Sequence, residues 1–165
     1  MSPADQRKYL EEKILQLSSS YTAPRSKEEL LDPDGFLLAK PYVVENYLGY
    51  SFDQVRERGD DMRGGFFEED LTSMTRTAFE YYSLAWLLHV LDDPTSDASI
   101  FLPSKLQYGV TKFGTILSRS FLEVLTEFTA LLVDPAFQYP LEDQDRLKWD
   151  GIRTTIRPLL PGQAC

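Results

Sequence analysis

Three carboxylates follow an apolar segment closely enough to act on one ion or one substrate. Asp92, Asp93 and Asp97 lie just after a run of apolar residues, and His89 precedes them by about one helical turn. Carboxylates grouped at a helix end are suitable ligands for Mg²⁺. A histidine three or four residues before an aspartate shares its helix face and can act as a general base. The segment therefore predicts, as one alternative, a small metal-dependent enzyme.

The run of residues 92–97, Asp-Asp-Pro-Thr-Ser-Asp, superficially resembles the aspartate-rich motif of class I terpene synthases. The chain of 165 residues is much shorter than their catalytic domains and has no second metal-binding motif, so we do not assign it to that family. His89 is the only histidine and Cys165 the only cysteine, which excludes a zinc site rich in either residue. No nucleophile elbow, phosphate loop or dinucleotide fingerprint occurs. We predict no catalytic residue, no bound metal and no cofactor.

The excess negative charge is concentrated in one stretch of the chain. There are 26 acidic and 17 basic side chains, for a formal net charge of −9. Residues 66–100 contain seven acids and one base, Arg76, which is a balance of −6. A local negative surface beside a large apolar element favours the docking of a partner. The predicted partner-binding residues are Asp60, Asp61, Glu68, Glu69, Asp70, Asp92, Asp93 and Asp97.

The favoured function is that of a non-enzymatic, acidic protein-binding module, such as an adaptor, an inhibitor or an immunity-type protein. Its expected partner is a protein with a basic surface, because opposite charge speeds encounter. The net charge argues against direct binding of nucleic acid or anionic membranes, since such binding depends on lysine and arginine. Besides the metal-dependent enzyme, a second alternative is a structural subunit whose apolar helix faces complete a larger assembly.

The sequence favours a cytoplasmic location. Its longest nearly apolar run, residues 84–91, is far shorter than the ~20 residues of a membrane span. Acidic residues are mixed with Arg7 and Lys8 near the N-terminus, so the pattern of a secretory signal is missing. A single cysteine cannot form an intramolecular disulfide.

Apolar spacing and capping residues predict an all-α protein. Ser26 and Ser51 each precede an acidic or amide residue by three positions, which is typical of an N-cap, and Ser2 before Pro3 marks the start of a first helix. We expect one domain over residues 1–165, with about six helices and short flexible ends at about 1–2 and 158–165. Two long helices, Phe66–Leu91 and Ser104–Val133, form its predicted centre, and the apolar residues that encircle the first place it in the core.

Two glycines interrupt the second long helix. Gly109 and Gly114 each cost about 1 kcal/mol in a helix interior. Either a neighbouring helix packs closely there or the helix breaks near Gly114, and we favour a single helix with a bend.

Overall fold

The fold was derived from a computed structural model, which describes residues 2–59, 70–137 and 141–160. The described residues form an all-α fold without strands, which confirms the predicted class. There are eight α-helices in these ranges rather than about six. They are α1 (Pro3–Ser18), α2 (Lys27–Leu30), α3 (Lys40–Tyr47), α4 (Phe52–Arg58), α5 (Arg76–Asp92), α6 (Ala98–Phe113), α7 (Arg119–Val133) and α8 (Asp143–Ile156).

Serine side chains cap the N-termini of three early helices, as the sequence predicts. The Ser2 hydroxyl accepts the Asp5 amide at 3.2 Å, and the Ser26 hydroxyl accepts that of Glu29 at 3.2 Å. At α4, the Ser51 hydroxyl accepts the amide of Gln54, whose side chain accepts the Ser51 amide in return. These bonds satisfy amides that have no partner inside the first helical turn.

The central helix α5 begins later than predicted. It starts at Arg76, and Leu71–Ser73 form only one 3₁₀ turn. Met74 is extended and pairs with Leu31 in an isolated antiparallel bridge. Two backbone bonds join this segment to residues 30–32: the Asp32 amide donates to Ser73 O and the Thr75 amide donates to Leu30 O, each at 2.9 Å. The apolar spacing correctly predicted that Leu71 and Met74 are buried, but it predicted a helical backbone where the chain is not α-helical. Phe66 and Phe67 lie outside the described residues.

Helix α5 occupies the core, as its encircling apolar residues predict. Most of its side chains are buried, and it packs against α1, α2, α4 and α6. Its polar aromatic groups find partners inside the protein: the Tyr82 hydroxyl donates to Tyr47 O and Tyr50 O, each at 2.9 Å. The Trp86 indole donates to the Tyr47 hydroxyl at 2.9 Å. In the described ranges, no helix has both the length and the apolar content needed to cross a bilayer.

The predicted long helix over 104–133 is wrong, because it is two helices. Helix α6 ends at Gly114, whose φ is +51°. A 3₁₀ turn and an extended residue then separate α6 from α7. An L-residue adopts such a φ only with strain, whereas glycine does so readily. The Ser118 hydroxyl then caps α7. At Gly109, a Cβ would lie 2.1 Å from the Phe79 ring, so the other glycine permits close packing of α6 on α5.

A proline inside α6 explains one contact between α6 and α8. Pro103 has no amide hydrogen, so it cannot donate to the carbonyl of Ser99 four residues earlier. The Trp149 indole of α8 donates to that carbonyl at 3.0 Å. A tertiary hydrogen bond therefore replaces the missing helical one and fixes α6 against α8.

Candidate functional site

The structure describes only half of the predicted partner-binding acids. Asp60, Asp61, Glu68 and Glu69 lie outside the described residues.

Asp70 is buried, which disagrees with its predicted place on a docking surface. Its exposed fraction is 1%. The next residue, Leu71, and Met74 are buried in the core, and Asp70 is buried beside them. Burial raises the pKa of the Tyr47 hydroxyl, and the nearby charge of Asp70 raises it further. The carboxylate of Asp70 therefore acts on the interior of the protein and not on its surface.

Glu80 is a second acid from the charged stretch that does not reach the surface. It is fully buried, and its carboxylate accepts the Ser118 amide at 2.8 Å, Arg76 Nη1 at 3.2 Å and the Tyr21 hydroxyl. Burial is the main reason why the pKa of Tyr21 lies well above its ordinary value. This network of hydrogen bonds joins α5 to the start of α7. Because its three donors satisfy the buried carboxylate, Glu80 has a structural role.

Asp92 is held by an arginine from another helix. Arg56 of α4 forms two parallel bonds to it, from Nε to Oδ2 at 2.7 Å and from Nη2 to Oδ1 at 3.0 Å. The same Nη2 donates to Glu11 of α1 at 2.8 Å. Hydrogen bonding to Asp92 is the largest cause of a raised Arg56 pKa. Bidentate pairs of this kind fix geometry as well as charge, so Arg56 joins α1, α4 and α5.

The remaining two acids begin the connection to α6. Asp93 Oδ1 accepts both the amide of Thr95 at 3.0 Å and its hydroxyl at 2.6 Å. These bonds, the hydroxyl first, hold the pKa of the exposed Asp93 carboxyl below its ordinary value. Asp97 is exposed at the N-cap of α6, where its side chain makes no capping bond.

His89, a general base only under the enzyme alternative, lies in α5 and packs against α4. Its Nδ1 lies 3.1 Å from Arg56 O, and its ring meets Trp86 edge-on with centroids 5.5 Å apart. A Cβ at Gly59 would lie 2.0 Å from the ring, so the turn after α4 rests directly on the imidazole. Across the described ranges, no three or more His, Cys, Asp and Glu residues form a group that could hold a metal ion.

The structure gathers acids that are distant in sequence around Arg56. Residues three and four apart on a helix are neighbours, so Asp53, Arg56 and Glu57 share one face of α4. Both acids on that face are exposed. We define the acidic surface as Glu11, Asp53, Glu57, Asp92 and Asp93 together with Arg56. Five carboxylates and one guanidinium give this surface a charge of −4.

Sequence reasoning missed the most exposed apolar segment of the described chain. Phe36, Leu37 and Leu38 follow the turn at residues 32–35 and project into solvent. A cleft of about 300 Å³ lies between this segment and α6, and its walls include Phe36, Ser104, Lys105 and Tyr108. The available signal was a run of three consecutive apolar residues between the turn at residues 32–35 and Pro41, since exposed runs of this kind are normally functional.

Comparison of the chain with protein-family models, with curated protein sequences and with solved structures found no match. The geometry of its surfaces is therefore the basis for a functional proposal.

Proposed function

We propose that this chain is a non-enzymatic protein-binding module whose acidic surface docks a basic surface of a partner protein. The observation that carries the proposal is the pair of bonds from Arg56 to Asp92 and the third to Glu11. They bring carboxylates from three helices to one place and hold two of them in fixed positions. A preorganised charged surface needs little reordering when a partner binds.

The charge of this surface supports a cationic partner. Arg56 offsets only one of its five carboxylates, so attraction of lysine and arginine side chains remains. Asp93 carries its full negative charge at neutral pH, as an aspartate does when its pKa lies at its ordinary value or below it. Asp97 lies four residues beyond Asp93, at the N-cap of α6, and is also exposed.

The test is to isolate binding partners with two charge-matched variants. Asp53→Lys/Glu57→Lys reverses the outer face of α4 and leaves the bonds of Arg56 intact. Asp143→Lys/Asp150→Lys makes the same change in charge on α8 and serves as the control. Tagged wild-type and variant proteins are used to capture partners at low and moderate salt, and each captured protein is titrated against all three.

We expect the α4 variant to weaken binding of a basic partner by at least about tenfold, and the α8 control to change it little. Higher salt should weaken wild-type binding, because exposed charges are screened. Equal loss in both variants would show a general charge effect and would reject the acidic surface. Binding that does not depend on salt would also reject it.

A further inference from the structure

We propose that a second surface of this protein docks an acidic, amphipathic segment of another protein. This apolar–lysine surface consists of Phe36, Leu37, Leu38, Lys105 and Tyr108. The proposal goes beyond the acidic surface, because it concerns different residues and a partner of opposite charge.

The exposure of the apolar side chains is the first observation. Leu37 and Leu38 are 75% and 74% exposed, and Phe36 beside them is exposed by about half. Three consecutive apolar side chains facing water are unfavourable, and such patches commonly mark interaction sites.

The segment that carries them is fixed to the protein. The Gly35 amide donates to Asp32 O at 3.0 Å, and the Ala39 amide donates to Phe36 O at 3.1 Å. Lys40 Nζ donates to Pro33 O at 2.8 Å, and Ala39 is buried in the core. The leucines therefore project from a held turn, so a partner would meet them already positioned.

The cleft beside this turn provides room for an apolar side chain. Phe36 lies on one side, and Tyr108 of α6, itself 56% exposed, lies on the other. Tyrosine is suited to such a position because its ring is apolar and its hydroxyl remains solvated. Phe101 is also exposed, two helical turns before Tyr108, and continues the apolar stripe along α6.

Charge selects the kind of partner. Of the eight described α-helices, α6 alone contains no acidic residue, although the whole chain has a charge of −9. Its charged side chains are Lys105 and Lys112, and both line the cleft, together with one carboxylate, Asp34. Lys112 forms an ion pair with Asp32 and donates to Thr72 O at 3.0 Å. Lys40 follows the exposed leucines, so three of the chain's seven lysines border this one area.

The complementary partner combines apolar residues with acidic ones. Its apolar side chains would enter the cleft and cover Leu37 and Leu38, and its carboxylates would face Lys105 and Lys112. The net charge of −9 disfavours an acidic segment at most other places, so lysines beside exposed apolar side chains distinguish this surface.

The probe is a fluorescein-labelled amphipathic helical peptide made of leucine, alanine and glutamate. Its binding to the full chain is followed by fluorescence anisotropy. We expect Leu37→Ser/Leu38→Ser to weaken binding by at least about tenfold, since buried leucines commonly contribute that much. Lys105→Glu should weaken it by about threefold to tenfold and flatten its salt dependence.

Matched controls separate this surface from general effects. Leu147→Ser removes a leucine of α8 that is 71% exposed, and Lys27→Glu reverses an exposed lysine of α2. Neither should change peptide affinity by more than about twofold. Asp53→Lys/Glu57→Lys should not weaken peptide binding, whereas it should weaken docking at the acidic surface by at least about tenfold. Failure of one proposal is thereby distinguished from failure of the other.

Several results would overturn the proposal. One is no binding of the glutamate peptide at low salt, and another is equal binding to wild type and Leu37→Ser/Leu38→Ser. If sedimentation velocity shows a wild-type dimer and a monomeric Leu37→Ser/Leu38→Ser variant, the occupant is a second copy of the chain. If the wild type sediments with anionic lipid vesicles and this variant does not, the occupant is a membrane.

Discussion

The acidic surface and the apolar–lysine surface are held in different ways. Arg56 reaches Glu11 and Asp92 across separations of 45 and 36 residues. The bonds within residues 33–40 join positions at most seven apart, and the long-range bonds of this turn lie at its base, where Asp32 pairs with Lys112 of α6 and its amide donates to Ser73 O. Leu37 and Leu38 take no part in those long-range bonds. The difference indicates that removing Arg56 or its bonded partners reduces stability, whereas substitutions of the exposed leucines affect binding alone.

The largest expected effect comes from disrupting the contact between Gly59 and His89, which packs α4 against α5 beneath the acidic surface. Gly59→Ala should lower the free energy of unfolding by about 3 kcal/mol, because the residue has a φ of +46° and its Cβ would overlap His89. Urea unfolding measures the loss. Adding His89→Ala should recover part of it in a double-mutant cycle. Additive losses would show that the imidazole contact does not matter.

A smaller loss is expected when the ion pairs themselves are removed. Arg56→Ala should cost about 2 kcal/mol, because it leaves two charged partners without their bonds. Arg119→Ala is the control, since Arg119 pairs with Glu123 only one turn away on an exposed face. It should cost less than about 0.5 kcal/mol. Similar losses for the two arginines would remove the distinction between a tertiary ion pair and a local one.

The long-range bond from α8 to α6, the helix that carries Lys105 and Tyr108, sharpens the comparison. Trp149→Phe should cost about 1 kcal/mol, because it leaves Ser99 O without the indole donor. Pro103→Ala supplies an amide for that carbonyl, so the cost of Trp149→Phe should shrink in this background. Thermal unfolding of the four proteins of the cycle measures the coupling. If the two substitutions show no coupling, the bond from Trp149 does not compensate for the amide that Pro103 lacks.

The smallest effect concerns the titration of Asp93. Its pKa in the folded protein lies below its ordinary value of 3.8, so the stability it contributes is present above that value and is lost as pH falls through the folded pKa. Asp93→Asn removes the charge and keeps an acceptor oxygen. Urea unfolding between about pH 2 and pH 7 should show the difference from wild type shrinking at acidic pH. A stability difference that stays constant with pH would contradict this assignment. Thr95→Val removes the hydroxyl that bonds Asp93, so it should reduce the pH dependence.

Local chemistry allowed much of the fold to be predicted. Ser2, Ser26 and Ser51 cap helices because their hydroxyls bond amides three residues away, which a sequence pattern can show. Gly114 was identified as a candidate break, but the choice between a bend and a complete end depended on packing. Burial of α5 followed from apolar residues on all sides of it.

The helical class, the first helix starts and the central position of α5 follow from local signals, since they depend on neighbouring residues and on apolar spacing. The pairing of Met74 with Leu31, the burial of Asp70 and the bonds from Arg56 to Asp92 arise only in the folded chain. In each case the deciding partner is distant in sequence or the core must already be assembled. An acidic residue has the same local signature whether it meets water, an arginine or the protein interior, so its role is decided only by the fold.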